Sequence, residues 1–161
     1  MMIILLHSFL TNLLVKTMSM LSIEALQSET QRAAVVMGGD EYYPYVTFSN
    51  GVFKENGAPY ITVDEDTYRY TVFERGSIIE SKSTCDNREI LYWIASHISF
   101  SIAMKYATTN KREHVEFRRV LFQKQLEILY HFNFTFGEKE RERIKKVLEK
   151  HPFTDGLPDT V

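Results

Sequence analysis

The chain has 161 residues, enough for one domain and too few for two cores of ordinary size. Hydrophobic residues make up 44% and charged residues 25%, which excludes a disordered chain, and a net charge of −2 gives neither nucleic acid nor an anionic membrane an electrostatic handle. A single cysteine, Cys85, excludes an intrachain disulfide, thiolate zinc clusters and redox pairs, and points to a reducing, cytoplasmic setting.

Residues 1–15 form an apolar run broken by His7, Ser8, Thr11 and Asn12. The run falls short of the roughly 20 apolar residues a membrane-spanning helix needs. It also lacks the basic start and small-residue cleavage site of a secretory signal. Met18 and Met20 stand just before a good helix start, so translation is expected to begin at one of them. Residues 1–20 then read as a leader outside the fold, with a membrane anchor as the rival reading. A single domain is expected over residues 21–155, followed by a tail over 156–161.

Ser22 is placed to cap a first helix, with Glu24 in the first turn where the helix dipole favours a carboxylate. Ile23, Leu26, Ala33 and Val36 mark its apolar face, and Gly38–Gly39 end it. Tyr42, Tyr43, Pro44 and Tyr45 follow, then the turn signals Asn50–Gly51 and Asn56–Gly57. Pro59 to Val63 and Thr67 to Phe73 alternate as strands around the acidic turn Asp64–Glu65–Asp66, and Gly76 admits a further strand from Ser77 to Ser83. These pieces read as an antiparallel meander.

From Asp86 the period becomes helical. Asp86 with Glu89 resembles a capping box and opens a helix to about Ala107 that is apolar nearly all round, the signature of a buried central helix. A second helix is expected from about Arg112 to Phe132, and a third, opened by Thr135 with Glu138, should stop at His151–Pro152. Strands before helices predict an α+β fold: an antiparallel β-meander packed on one face by three C-terminal helices, plus an N-terminal helix.

The chain shows no pattern that assembles chemistry. The histidines His7, His97, His114, His131 and His151 have no metal-ligand spacing, and His97 reads as a satisfied core or boundary residue. Phosphate-binding glycine loops and nucleophile elbows are absent. Asp64–Glu65–Asp66 lacks the spaced ligands and bidentate Glu of a calcium loop. The basic residues around Arg118–Arg119 are diluted by Glu113, Glu116 and Glu127, a charged helix face more than a nucleic-acid patch. No catalytic, cofactor-binding or metal-binding residue is therefore assigned.

Glu74 falls on the strand face shared by Tyr68, Tyr70 and Val72, which places a carboxylate on the side expected to be apolar. Burial there demands a cation, so a structural ion pair with Arg118 or Arg119 is expected, with a partner-facing role as the alternative.

Several stretches resemble the immunity protein 63 family of bacterial polymorphic-toxin systems. They are Tyr68 to Val72 with Glu74-Arg75-Gly76, Glu89 to Ile94, Ile98 to Ala103, Arg118 to Glu127, and His151-Pro152-Phe153. The resemblance implies a cytoplasmic protein that binds and neutralises a cognate toxin without catalysis; from the charge and the short apolar run, neither a membrane nor a nucleic acid is expected as partner. A small enzyme using His97 or His114, and a membrane-tethered adaptor, are the rival readings.

Charge is uneven: residues 1–100 carry 7 Lys/Arg against 12 Asp/Glu, and residues 101–161 carry 12 against 9. The acidic first part suggests a partner surface of Tyr43, Tyr45, Asp64, Asp66 and Glu80, carboxylates interleaved with tyrosines and suited to a basic site on a toxin.

Overall fold

The computed structural model describes residues 19–39, 46–51 and 56–158. In chain order these form α1 (Ile23–Val36), β1 (Thr47–Phe48), β2 (Asn56–Asp64), β3 (Thr67–Glu74), β4 (Ser77–Thr84), α2 (Asn87–Thr109), α3 (Phe117–Phe132) and α4 (Phe134–Lys150). The class is α+β, as the order of strands and helices predicts.

Strands β2, β3 and β4 make the expected antiparallel meander, and the sheet order is β1-β2-β3-β4. The sheet is mixed, because the two-residue β1 pairs parallel to β2 through Thr47–Tyr60 and Phe48–Ile61. Two residues are too few to show a period, which is why this strand is not readable in the sequence. The β3–β4 turn is Arg75–Gly76, with φ of 50° and 77°. Two consecutive positive φ values define the tight hairpin turn whose twist matches its strands, and glycine takes the second at no steric cost.

One face of the meander is built from Ile61, Tyr68, Tyr70 and Val72, all buried, and it meets Ile90, Ile94 and Ile98 of α2 in a single core. Fully burying a side chain of this size contributes roughly 1.5–3 kcal/mol before conformational entropy is charged against it. Tyr68 is buried whole because its hydroxyl has partners: it lies 2.5 Å from Asn87 Oδ1 and accepts from the Leu21 amide. Asn87 in turn donates to the Ser19 carbonyl at 2.9 Å, and Met20 packs against the core. Ser19 and Met20, expected in the leader, are thus tied into the domain.

The caps follow the sequence at two helices. Ser22 accepts from the Ala25 amide, and Asp86 accepts from the amides of Arg88 and Glu89. The last two helices depart from expectation. α3 begins at Phe117, about a turn later than predicted, and α4 begins at Phe134, with Asn133 as the sole joint between them. The Asn133 side chain caps α4 by accepting from the Phe136 amide at 3.2 Å, which overrides the weaker signal of Thr135. So abrupt a reversal presses the helices together: a Cβ on Gly137 would sit 2.4 Å from the Tyr130 ring. Only glycine fits there.

Candidate functional site

Among the described residues, a groove of about 610 Å³ lies between β4 and α4. α2 supplies Tyr92, Trp93 and Ser96, β4 supplies Lys82, and α4 supplies Thr135, Glu138, Lys139, Glu142, Arg143 and Lys146. The sequence places these residues by helical spacing: 135, 138, 139, 142, 143 and 146 share one face of α4. Although it stands on the helix whose all-round apolar pattern predicts burial, Trp93 is only half-buried and sits at the core margin. Its ring meets Tyr70 edge-on, with centroids 6.0 Å apart. The Lys82 ammonium lies 4.4 Å from the Tyr70 ring centroid and 4.7 Å from that of Trp93, and is paired with Glu80 at 2.7 Å. Two aromatic faces and a carboxylate hold this cation in one place.

Beneath the groove is a fully buried carboxylate, Glu140. Tyr92 and Ser96 each donate to its Oε2 at 2.9 Å, and Arg143 donates to Oε1 from Nε at 2.8 Å and Nη2 at 2.5 Å. Burial, then the neighbouring carboxylate, pushes the Tyr92 phenol above its ordinary range, so it stays protonated and able to donate. The sequence carries a readable sign of this site, although Glu140 is not among the residues its motifs single out. Phe136, Glu140 and Ile144 recur at i, i+4 and i+8, so Glu140 is a charge standing on an apolar stripe.

His97, one turn along α2, has its imidazole pKa lowered to about 4, mainly by burial, with Lys82 lowering it further and Glu80 opposing. It is neutral at pH 7, as a boundary histidine should be. Among the described residues no three His, Cys, Asp or Glu side chains gather as a metal ion would require, and no helix is long and apolar enough to cross a membrane.

The expected ion pair of Glu74 does not form. Glu74 sits beside the turn, half in solvent, with Arg75 as its near cation at 3.9 Å. The two arginines are spent elsewhere. Arg119 makes a forked pair with Asp155, at 2.9 Å from Nε and 2.8 Å from Nη2, and also donates to the carbonyls of Leu157 and Pro158. Arg118 pairs with Glu116 and donates to the carbonyls of His151 and Pro152. Phe153 stacks over the Arg119 guanidinium at 4.0 Å. Together these fasten residues 151–158 across the start of α3, so Leu157 and Pro158 of the expected tail are bound to the domain.

The residues expected at a partner surface are scattered. Tyr43 and Tyr45 lie outside the described residues. Asp64 ends β2, exposed and 3.5 Å from Arg69, and Asp66 is exposed in the turn that follows. Glu80 stands mid-β4 opposite the buried Val72. Alternation places Asp64 on the opposite face from Val63 and Glu80, and about 17 Å of strand separates their partners Thr67 and Val72. Asp64 and Glu80 do not share one surface.

Residues 64–146, more than half of the chain, match the family model described as immunity protein 63. The matched segment begins at Asp64 and includes every residue lining the groove. No curated protein and no solved structure matches the chain.

Proposed function

The chain belongs to the immunity protein 63 family, and from that membership we propose that it binds a cognate bacterial toxin in the cytoplasm and neutralises it by covering the toxin's site, without catalysis. The family match carries the reading. Glu140 supports it: both oxygens of this buried carboxylate are taken by Tyr92, Ser96 and Arg143, so it holds three side chains in place and does not face a substrate. Occlusion of this kind needs a rigid surface, and a satisfied buried network supplies rigidity.

The test is a titration. Activity of a candidate toxin, chosen from the proteins encoded in the genes flanking this chain's own, is measured against increasing amounts of the pure protein. Occlusion requires inhibition that is complete at a fixed stoichiometry and that tracks formation of an isolable complex. Full protection well below one protein per toxin would indicate turnover and overturn the non-catalytic reading.

A further inference from the structure

We infer that the groove beside β4 receives an extended, carboxylate-bearing segment of the partner toxin, laid along the free edge of β4 as an additional strand. This rests on the immunity reading above and deepens it by naming the surface and the chemistry of what it binds.

β4 is the last strand of the sheet, and among the described residues it pairs on one side only. Its other side therefore presents unpaired backbone groups, the template on which strand addition works. The register with β3 passes from Glu80–Val72 to Ile78–Phe73, which leaves Ile79 as an extra, bulged residue. Ser81 to Thr84 remain regular and available for pairing, next to Lys82 and the groove. Beside the bulge Ile78 and Ile79 are 60% and 59% exposed, an apolar shoulder on the edge strand.

Charge selects the occupant. The groove lining holds four cations, Lys82, Lys139, Arg143 and Lys146, against two carboxylates, Glu138 and Glu142. Both carboxylates are bonded, Glu138 to Tyr130 and Arg141 and Glu142 to Lys145, and three of the cations are paired as well, Lys82 with Glu80, Lys139 with Glu89 and Arg143 with Glu140, so Lys146 is the lining cation that selects the occupant. Lys146 is exposed and takes part in none of the ion pairs of the described residues. In an added strand alternate side chains point the same way, so every second residue would reach into the groove. A carboxylate there meets Lys146, with the Lys82 ammonium over the Trp93 ring in the same groove, whereas a basic side chain meets like charge at Lys146.

The experiment measures binding of a catalytically inactive form of the toxin that the titration above shows to be inhibited, by biolayer interferometry at low and moderate salt. Lys146→Glu changes an exposed, unpaired residue, so its melting curve should match the wild type while affinity falls roughly tenfold, chiefly through a slower on-rate. Lys82→Glu with Lys146→Glu should weaken binding about a hundredfold. Asp64→Lys with Asp66→Lys, at the far turn, should leave affinity within about twofold. Wild-type binding that survives the groove changes, or is lost on changing Asp64 and Asp66, overturns the groove as the site. Self-association that Ile78→Lys abolishes while toxin affinity stays unchanged would give the edge to a second copy of the chain and also overturn it. A wild type that fails to bind at all refutes the immunity reading, and the inference falls with it.

Discussion

Glu140 and Asp155 each accept a forked hydrogen bond from an arginine, but the chain distances differ widely: three residues from Glu140 to Arg143, and 36 from Arg119 to Asp155. The first pair is fixed by the pitch of α4 and becomes structural only when α2 brings Tyr92 and Ser96 against it. The second exists only if the C-terminal segment folds back over α3, where Asp155 also accepts from the Glu116 amide at 2.9 Å. The N-cap residue of α3, Glu116, makes no side-chain cap, and Asp155 accepts the Glu116 amide from a distance, as the third-position Glu of a capping box does locally. Local charge pairs of this kind build a floor, and distant ones close a boundary.

The largest effect is expected from Glu140→Ala. Removing one partner of a buried pair leaves the other uncompensated, and here Tyr92 and Ser96 lose their acceptor too, so a loss of about 3–5 kcal/mol is expected in a denaturant melt. The head of Arg143 is 47% exposed and can turn to water, which favours the lower end of that range. A loss below about 1 kcal/mol would mean that the network does not support the groove.

Arg119→Ala should act more locally. The forked pair, two carbonyl contacts and the Phe153 stack disappear together, so residues 151–158 should lift from α3. Hydrogen exchange at the amides of Thr154 and Leu157, which now donate to Glu116 and Asp155, should rise on the order of a hundredfold, with a smaller drop in melting temperature than Glu140→Ala. Equal damage from both changes would show that the C-terminal segment is part of the core and not a boundary.

The contrast also explains what the sequence could disclose. The caps at Ser22 and Asp86, the alternation and turns of the meander and the apolar α2 are patterns among near neighbours in the chain, and each was legible. Glu74 misled because alternation was carried to the last residue of β3, where the helix layer no longer covers the sheet. Arg118 and Arg119 read as a diluted charged face because their partners, Glu116 aside, lie more than thirty residues away. The groove depends on β4, α2 and α4 meeting, and no spacing within one element announces it. Glu140 was the exception: a charge on an apolar stripe is a local sign, and it marks the groove floor.

The smallest expected effect is an acid titration that separates the two regions by pH. His97 lies near the groove, with a folded pKa of about 4 against an ordinary value of 6.5, lowered chiefly by burial. Between those values the unfolded chain binds the proton and the folded chain does not, so stability is complete above the ordinary value and declines as pH falls towards 4. The side chain keeps some exposure, which limits the loss to the order of 1–2 kcal/mol. Asp155 has its carboxyl held well below the ordinary aspartate range, first by the Arg119 hydrogen bonds and then by the Glu116 amide. Its contribution is full above that ordinary range and is lost as pH falls below it. The first acid loss therefore belongs to the groove side and the second to the C-terminal boundary. His97→Gln should flatten the decline between pH 6.5 and 4 and leave the more acidic limb in place, while Asp155→Asn should do the reverse. If a single substitution flattened both limbs, the two regions would be one cooperative unit, and the division between floor and boundary would be lost.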